Sequence, residues 1–192
     1  MALYPNFLGP AYVAQSPIAD GERTMNWYAE PAQVPGESPM ALYPTPGVTS
    51  LVTAGDAPGR AMIAVKDRTF CVMGQTFYEI SSTYELTAMN SSVPMVNDGK
   101  PATISWNGDG GGELFISSGN YGYLFTLATD AFVQVRDPDV DGGTTMGAQL
   151  DGYFIALDTA TSTIYLSDLL DGTTWDATQF QQRSIESDPW VS

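Results

Sequence analysis

Gly59-Arg60-Ala61-Met62-Ile63-Ala64-Val65-Lys66-Asp67-Arg68-Thr69-Phe70-Cys71-Val72-Met73-Gly74-Gln75 is the stretch on which the fold turns. Two short runs rich in β-branched and apolar residues, Ala61–Val65 and Thr69–Met73, flank a polar break, and Gly74-Gln75 closes the second with turn chemistry. The same texture continues at Glu113–Ile116, Tyr121–Phe125, Tyr153–Leu157 and Thr163–Leu166, each bounded by Gly, Asn, Asp or Ser. Helical spacing is weak throughout. The one candidate, Leu169 to Phe180, is interrupted by Asp171-Gly172 and reads as loop.

The runs recur. Gly59–Ile63, Gly99–Ile104 and Gly143–Gly147 each open a unit, at spacings of 40 and 44 residues. A second strand follows in each (Thr69–Met73, Glu113–Ser117, Tyr153–Leu157), then a turn at Gly74-Gln75, Ser118-Gly119-Asn120 or Asp158–Ser162, then a third strand. Tyr84–Met89 and Phe132–Arg136 supply a fourth. Four short antiparallel strands every ~40–50 residues is the pattern of propeller blades, which stack because one blade cannot bury both of its faces. The sequence therefore predicts an all-β fold: a partial or incomplete β-propeller at 51–192, with blade-like repeats at 59–98, 99–142 and 143–192. A β-sandwich with an accidental repeat is the alternative architecture. Propellers usually need at least ~4 blades. The three units thus predict a front part of something longer, or a chain whose open faces are completed by neighbouring subunits, since Trp190-Val191-Ser192 stands where another blade is expected.

Residues 1–50 differ in composition. They hold eight of the 13 prolines, and Val34-Pro35-Gly36-Glu37-Ser38-Pro39 continues neither a helix nor a central strand. This part reads as an extended arm with short strands. A free linker has little use for bulky aromatics, so Trp27, Tyr28 and Tyr43 are candidates for a partner interface; packing of the arm on its own domain is the other reading.

Composition narrows the chemistry. The 192 residues are 43% hydrophobic, enough for a core, and 15% charged, with 7 Lys+Arg against 22 Asp+Glu. A net charge of -15 argues against gripping nucleic acid through its phosphates. No apolar run approaches the ~18 residues of a membrane span, and Met1-Ala2-Leu3-Tyr4-Pro5 lacks the regions of a signal peptide. A single cysteine, Cys71, excludes a disulfide framework, and with no histidine the usual general base and commonest metal ligand are missing. The expectation is a soluble, acidic protein of a reducing compartment, with no cofactor and no enzymatic activity.

Asp137-Pro138-Asp139-Val140-Asp141-Gly142 spells the opening of a calcium loop, but the twelfth position is Ala148 where a bidentate Glu belongs. Asp137, Asp139 and Asp141 are thus a weak metal candidate, and an acidic inter-blade turn is the preferred reading. Asn107-Gly108-Asp109-Gly110-Gly111-Gly112-Glu113 leads into a strand and lacks the Lys and Ser/Thr of a phosphate loop, so it reads as a flexible hairpin connection. Cys71, between Phe70 and Val72 in a strand read as alternating, reads as a buried apolar thiol.

Ser167-Asp168-Leu169-Leu170-Asp171-Gly172-Thr173-Thr174-Trp175 resembles the Asp-box of sialidase-type propellers, with its acidic position displaced by one to Asp171. In such propellers the box is a structural turn, so Asp171, Gly172, Thr174 and Trp175 are read as blade-turn residues. A sialidase-like glycosidase would also need an arginine triad, and the five arginines (Arg23, Arg60, Arg68, Arg136, Arg183) are spread along the chain. Residues 137–192 contain ten acids and one base, Arg183, a bias that suits a surface along which DNA slides without sticking.

Taken in order, Glu22-Arg23-Thr24-Met25-Asn26-Trp27-Tyr28-Ala29-Glu30, Tyr43-Pro44-Thr45-Pro46-Gly47-Val48, the β repeats, Ser167 to Phe180 and Glu186-Ser187-Asp188-Pro189 resemble the N-terminal portion of the packaged-DNA stabilisation (tail hub or nozzle) proteins of short-tailed bacteriophages. The resemblance is one of pattern and order over most of residues 20–190. It implies a propeller body and a structural role in the virion, made in the host cytoplasm. It also implies a homo-oligomeric ring below the portal and adaptor that contacts other tail proteins (needle or fibre) and keeps the genome inside until ejection. Members of that family are typically more than twice as long. A carbohydrate-binding propeller or adhesin is the alternative function.

Overall fold

Every described element is a β-strand, as runs of Val, Ile, Phe and Tyr punctuated by Gly, Asn and Asp dictate. The computed structural model describes residues 26–31, 40–47, 49–54, 57–161 and 163–182. The chain divides into two compact units, Met1–Ser50 and Leu51–Ser192.

In the first unit, β1 (Trp27–Pro31) pairs antiparallel with β2 (Met40–Pro44). Asn26, in the left-handed region at φ 58°, directs the entry, and its carbonyl accepts both the backbone N–H of Thr45 (2.9 Å) and the Thr45 hydroxyl (3.1 Å).

The second unit holds three four-stranded antiparallel sheets, each a simple meander in sequence order. The first comprises β3 (Gly59–Val65), β4 (Arg68–Met73), β5 (Thr76–Ile80) and β6 (Leu86–Ala88). The second comprises β7 (Thr103–Trp106), β8 (Glu113–Ser118), β9 (Tyr121–Thr126) and β10 (Ala131–Gln134). The third comprises β11 (Met146–Leu150), β12 (Tyr153–Asp158), β13 (Thr163–Asp168) and β14 (Asp171–Gln182). Tight turns carry the reversals; at Gly119-Asn120 and Asp151-Gly152 both residues have positive φ, the conformation that matches the strand twist of a two-residue hairpin.

The sheets stack face to face. Leu114 and Ile116 of β8, with Tyr123 and Phe125 of β9, point toward the first sheet and meet Phe70, Val72 and Phe77. Phe115 and Leu124, the intervening residues, point the other way onto Phe154, Ala156 and Trp175 of the third sheet. Among the described residues of this unit, the middle sheet is therefore packed on both faces and the outer two on one. The first strand of each sheet neighbours the first strand of the next, β3 beside β7 and β7 beside β11. That convergence of leading strands sets the axial side of the stack. The architecture is all-β, four-stranded and open, a partial propeller in which the last sheet does not return to the first.

The sequence reading erred at Leu169 to Phe180, where the expected loop is instead the turn Leu169-Leu170 followed by the twelve-residue strand β14. Two register shifts, between Tyr165 and Ser167 and between Ser167 and Asp168, leave residues 172–174 and 176–179 outside the pairing while the strand continues. Aspartate makes each bulge self-sufficient: Asp171 Oδ1 accepts the Thr173 N–H (2.8 Å) and hydroxyl (2.6 Å), and Asp176 Oδ1 accepts those of Thr178 (2.8 and 2.7 Å). Nor does β4 alternate: Phe70, Cys71 and Val72 are consecutively buried. Burial pushes the Cys71 thiol above its usual range, which disfavours the nucleophilic thiolate.

Candidate functional site

The interface candidates lie on the β1–β2 hairpin. Tyr28 and Tyr43 are directly opposed in register, so they share a face, and their rings stack with centroids 5.7 Å apart. Trp27 is the next residue along β1 and lies opposite Pro44, which places it on the other face. The structure therefore gathers two of the three aromatics and separates the third. All three are close to half exposed (48% for Trp27, 45% for Tyr28, 46% for Tyr43). A two-stranded hairpin is marginal by itself in water, and this one presents aromatic surface on both faces.

The acidic turn does not gather its carboxylates around a centre. Asp137 Oδ1 accepts the Asp139 N–H at 3.0 Å, and its Oδ2 accepts the Trp175 N–H at 3.3 Å. Asp141 lies 3.9 Å from Arg136 Nη1, and Val140 between them is buried. Among the described residues, no group of three or more Asp, Glu, Cys or His side chains is placed to hold a metal. Asp137, Asp139 and Asp141 form a turn whose first aspartate bonds the last strand of the third sheet.

The Asp-box-like segment is a joint between sheets. Asp171 caps its own bulge, and these hydrogen bonds hold its carboxyl below the usual aspartate range. Thr174 Oγ1 approaches Asp171 Oδ2 at 3.4 Å. Gly172 sits against Leu124 and Phe154 with no room for a β-carbon. Trp175 is 4% exposed, its Nε1 donates to the Gly172 carbonyl (3.0 Å), and its ring meets Phe115 at 5.4 Å.

Two polar ties escaped the sequence reading. Arg60 of β3 is buried, and its guanidinium donates to the carbonyls of Lys100 (2.7 Å) and Gly74 (2.9 Å), to Ser118 Oγ (2.8 Å) and to Asp98 (3.1 Å). Glu113 of β8 accepts the Gly172 N–H, linking the second sheet to the third. Its neighbour Asn107 is buried and accepts the Glu113 N–H at 2.8 Å, so the glycine-rich connection is an organised turn. No local pattern announces either tie, because the partners lie 14 to 59 residues away.

Among the described residues, the arginines do not assemble a carboxylate-binding triad. Arg60 is engaged as above, and Arg68 bonds Glu79 (2.7 and 2.8 Å) and Asp130 (2.8 Å) while lying over Phe70. Those carboxylates hold the Arg68 guanidinium firmly protonated. Arg136 sits beside Asp141; Arg23 and Arg183 lie outside the described residues. Nor do the acids of the third sheet occupy its axial strand. β11 carries none; Asp151, Asp168 and Asp171 cluster at the β11–β12 and β13–β14 turns, which the Leu170 N–H to Gly152 carbonyl bond (2.9 Å) holds side by side.

Against this geometry, the model of one protein family, described as Bacteriophage P22 Gp10, beta-propeller, matches residues 20–192. The chain belongs to that family. It is accordingly a bacteriophage structural protein, associated with the virion. No curated protein matches it. Among solved structures, the family member is similar to the WD40 domain of Neurospora crassa Pan2, with 12% identity and a TM-score of 0.45 over 74% of this chain and 39% of that one. It is also similar to the N-terminal domain of Nup159, with 12% identity and a TM-score of 0.38 over 56% and 26%. The chain thus spans well under half the length of either structure.

Proposed function

We propose that this chain is a tail hub, or nozzle, component of a phage particle. It assembles as a ring below the portal and adaptor, closes the DNA exit channel, and retains packaged DNA until ejection. The observation that carries the reading is the family match across residues 20–192. Three physical features support it. The stacked sheets form a rigid body whose described residues are tied by buried hydrogen bonds rather than arranged around a reactive group. The β1–β2 hairpin offers exposed aromatics of the kind that dominate interface energetics, suited to docking on a neck or tail protein. The charge of -15 repels the DNA backbone, so the genome touches the protein without adhering.

In this role the protein works by shape and contact, without catalysis. The test is genome retention. Phage particles assembled without the chain should release their DNA to added nuclease, and supplying the purified chain should restore protection. Full protection in its absence would overturn the reading.

A further inference from the structure

A hollow of about 380 Å³ lies at the joint between the first and second sheets. Its size falls within the ~300–1,000 Å³ of small-molecule sites. One wall is the β3–β4 turn with Lys66, Asp67 and Arg68, and the other is the glycine-rich connection before β8 together with the residues that end β9. The second wall is fixed by hydrogen bonds. Asn107 Oδ1 accepts the Glu113 N–H (2.8 Å), the Gly112 N–H donates to the Gly108 carbonyl (2.9 Å), and the Leu127 N–H donates to the Gly112 carbonyl (2.9 Å). Gly111 packs against the Asn107 amide with no room for a β-carbon, and Gly112 stands at φ 66°. A wall built from glycines carries no side chains, so a ligand ring can approach the backbone closely.

The cations of the hollow already have counter-charges. Lys66 Nζ meets Asp109 Oδ1 at 2.7 Å, which ties the first sheet to the second. Arg68 donates to Glu79 (2.7 and 2.8 Å), to Asp130 (2.8 Å) and to the Leu127 carbonyl (3.0 Å). No surplus charge is left to recruit an ion. Hydrogen-bonding capacity is left over on both sides of the ledger. An ammonium has three N–H groups, and Asp109 takes one from Lys66; a guanidinium has five, and one on Arg68 Nη1 remains. Among the described residues, the Asp67 carboxylate and Asp109 Oδ2 accept no hydrogen bond. Val65 and Leu127 add apolar surface between these groups.

We propose that the hollow binds a neutral hexopyranose. A sugar hydroxyl both donates and accepts, so neighbouring hydroxyls use the ammonium of Lys66 and the carboxylates of Asp67 and Asp109 together, and a C–H face of the ring rests on Leu127. An anion would have to displace Asp109 and then lie beside Asp67; a cation would lie beside Lys66 and Arg68. The exposed Lys66–Asp109 pair contributes little stability, so it opens to a ligand at small cost. The site is formed wholly by two consecutive sheets, and it is independent of where the protein sits in the particle.

The test is a titration of the full chain, followed through its amide ¹H–¹⁵N correlations. Glucose, galactose, mannose and N-acetylglucosamine are each added to about 100 mM, which reaches sites as weak as a Kd of about 10 mM. At least one sugar should shift the amides of Gly111, Gly112 and Ala128 in a saturable way. Lys66→Asn removes the ammonium and suits the left-handed φ of 57° at that turn, and it should weaken binding about tenfold or more. Ala128→Trp, at an exposed position on the wall, should fill the hollow and abolish the shifts. Four results would each overturn the proposal: no saturable shift with any sugar, shifts confined to other amides, undiminished affinity in either variant, or a response of the same amides to inorganic phosphate and to none of the sugars.

Discussion

Glu113 Oε2 of the second sheet accepts the backbone N–H of Gly172 in the third at 2.9 Å, and the same oxygen takes Asn107 Nδ2 at 3.2 Å. One carboxylate thus fixes the glycine-rich turn before β8 and the start of β14. Burial pushes Glu113 above the usual glutamate range, although the Gly172 and Asn107 donors pull it down. The joint is polar at its rim and closes over Phe115, whose ring meets Phe154 at 5.3 Å and Trp175 at 5.4 Å.

Glu113→Ala should destabilise the chain by about 1–3 kcal/mol, because it leaves the Gly172 N–H without its acceptor. Glu113→Gln keeps an acceptor and removes a charge near Asp171. It should match or exceed the wild type at pH 7. Urea titrations of the three proteins distinguish these outcomes.

The two acids at the joint titrate with opposite consequences. Glu113 is raised in the folded state, so its contribution is fully present below the unfolded glutamate value and is lost as pH rises through the folded one. Asp171 is lowered by its threonine hydrogen bonds, so its contribution is present above the unfolded aspartate value and is lost as pH falls through the folded one. Melting temperatures across pH 2–7 should show a shallower acid limb in Asp171→Asn. In Glu113→Gln they should show a smaller decline as pH rises from the acid side.

Arg60 is a cation held within the protein by the Gly74 and Lys100 carbonyls, Ser118 and Asp98. Arg60→Met should cost about 1–3 kcal/mol, because it leaves the Gly74 carbonyl and the Ser118 hydroxyl without their buried donor. Arg60→Lys should recover only part of it, since one ammonium cannot span the planar fork of contacts. Denaturant midpoints with an unchanged slope would check both.

On the hairpin, Trp27→Ala should weaken docking to phage particles by about 2 kcal/mol, roughly 30-fold, while leaving the β body folded. Tyr43→Ala removes the ring on which Tyr28 stacks and should act through the opposite face. Binding assays paired with melting curves separate the roles. Global unfolding by Trp27→Ala would identify it as a core residue.

The strands were legible where local chemistry is sufficient: Ala61–Val65, Tyr121–Phe125 and Tyr153–Leu157 are apolar runs closed by turn residues, and each lies within a strand. β14 was not, because Asp171-Gly172 and Asp176 resemble loop punctuation until their bulges are seen to satisfy themselves. The Tyr28–Tyr43 pair depends on a hairpin register that composition does not specify, which is why Trp27 could not be separated from it by inspection. Arg60 and Glu113 look like ordinary surface charges in sequence. Stacking of the sheets converts them into joints.

Electron microscopy of phage particles bearing the tagged chain tests the central claim most directly. The account predicts added density on the tail axis, below the portal and adaptor, with sheets arranged radially around the channel. Density away from that axis, or particles that never take up the chain, would contradict it.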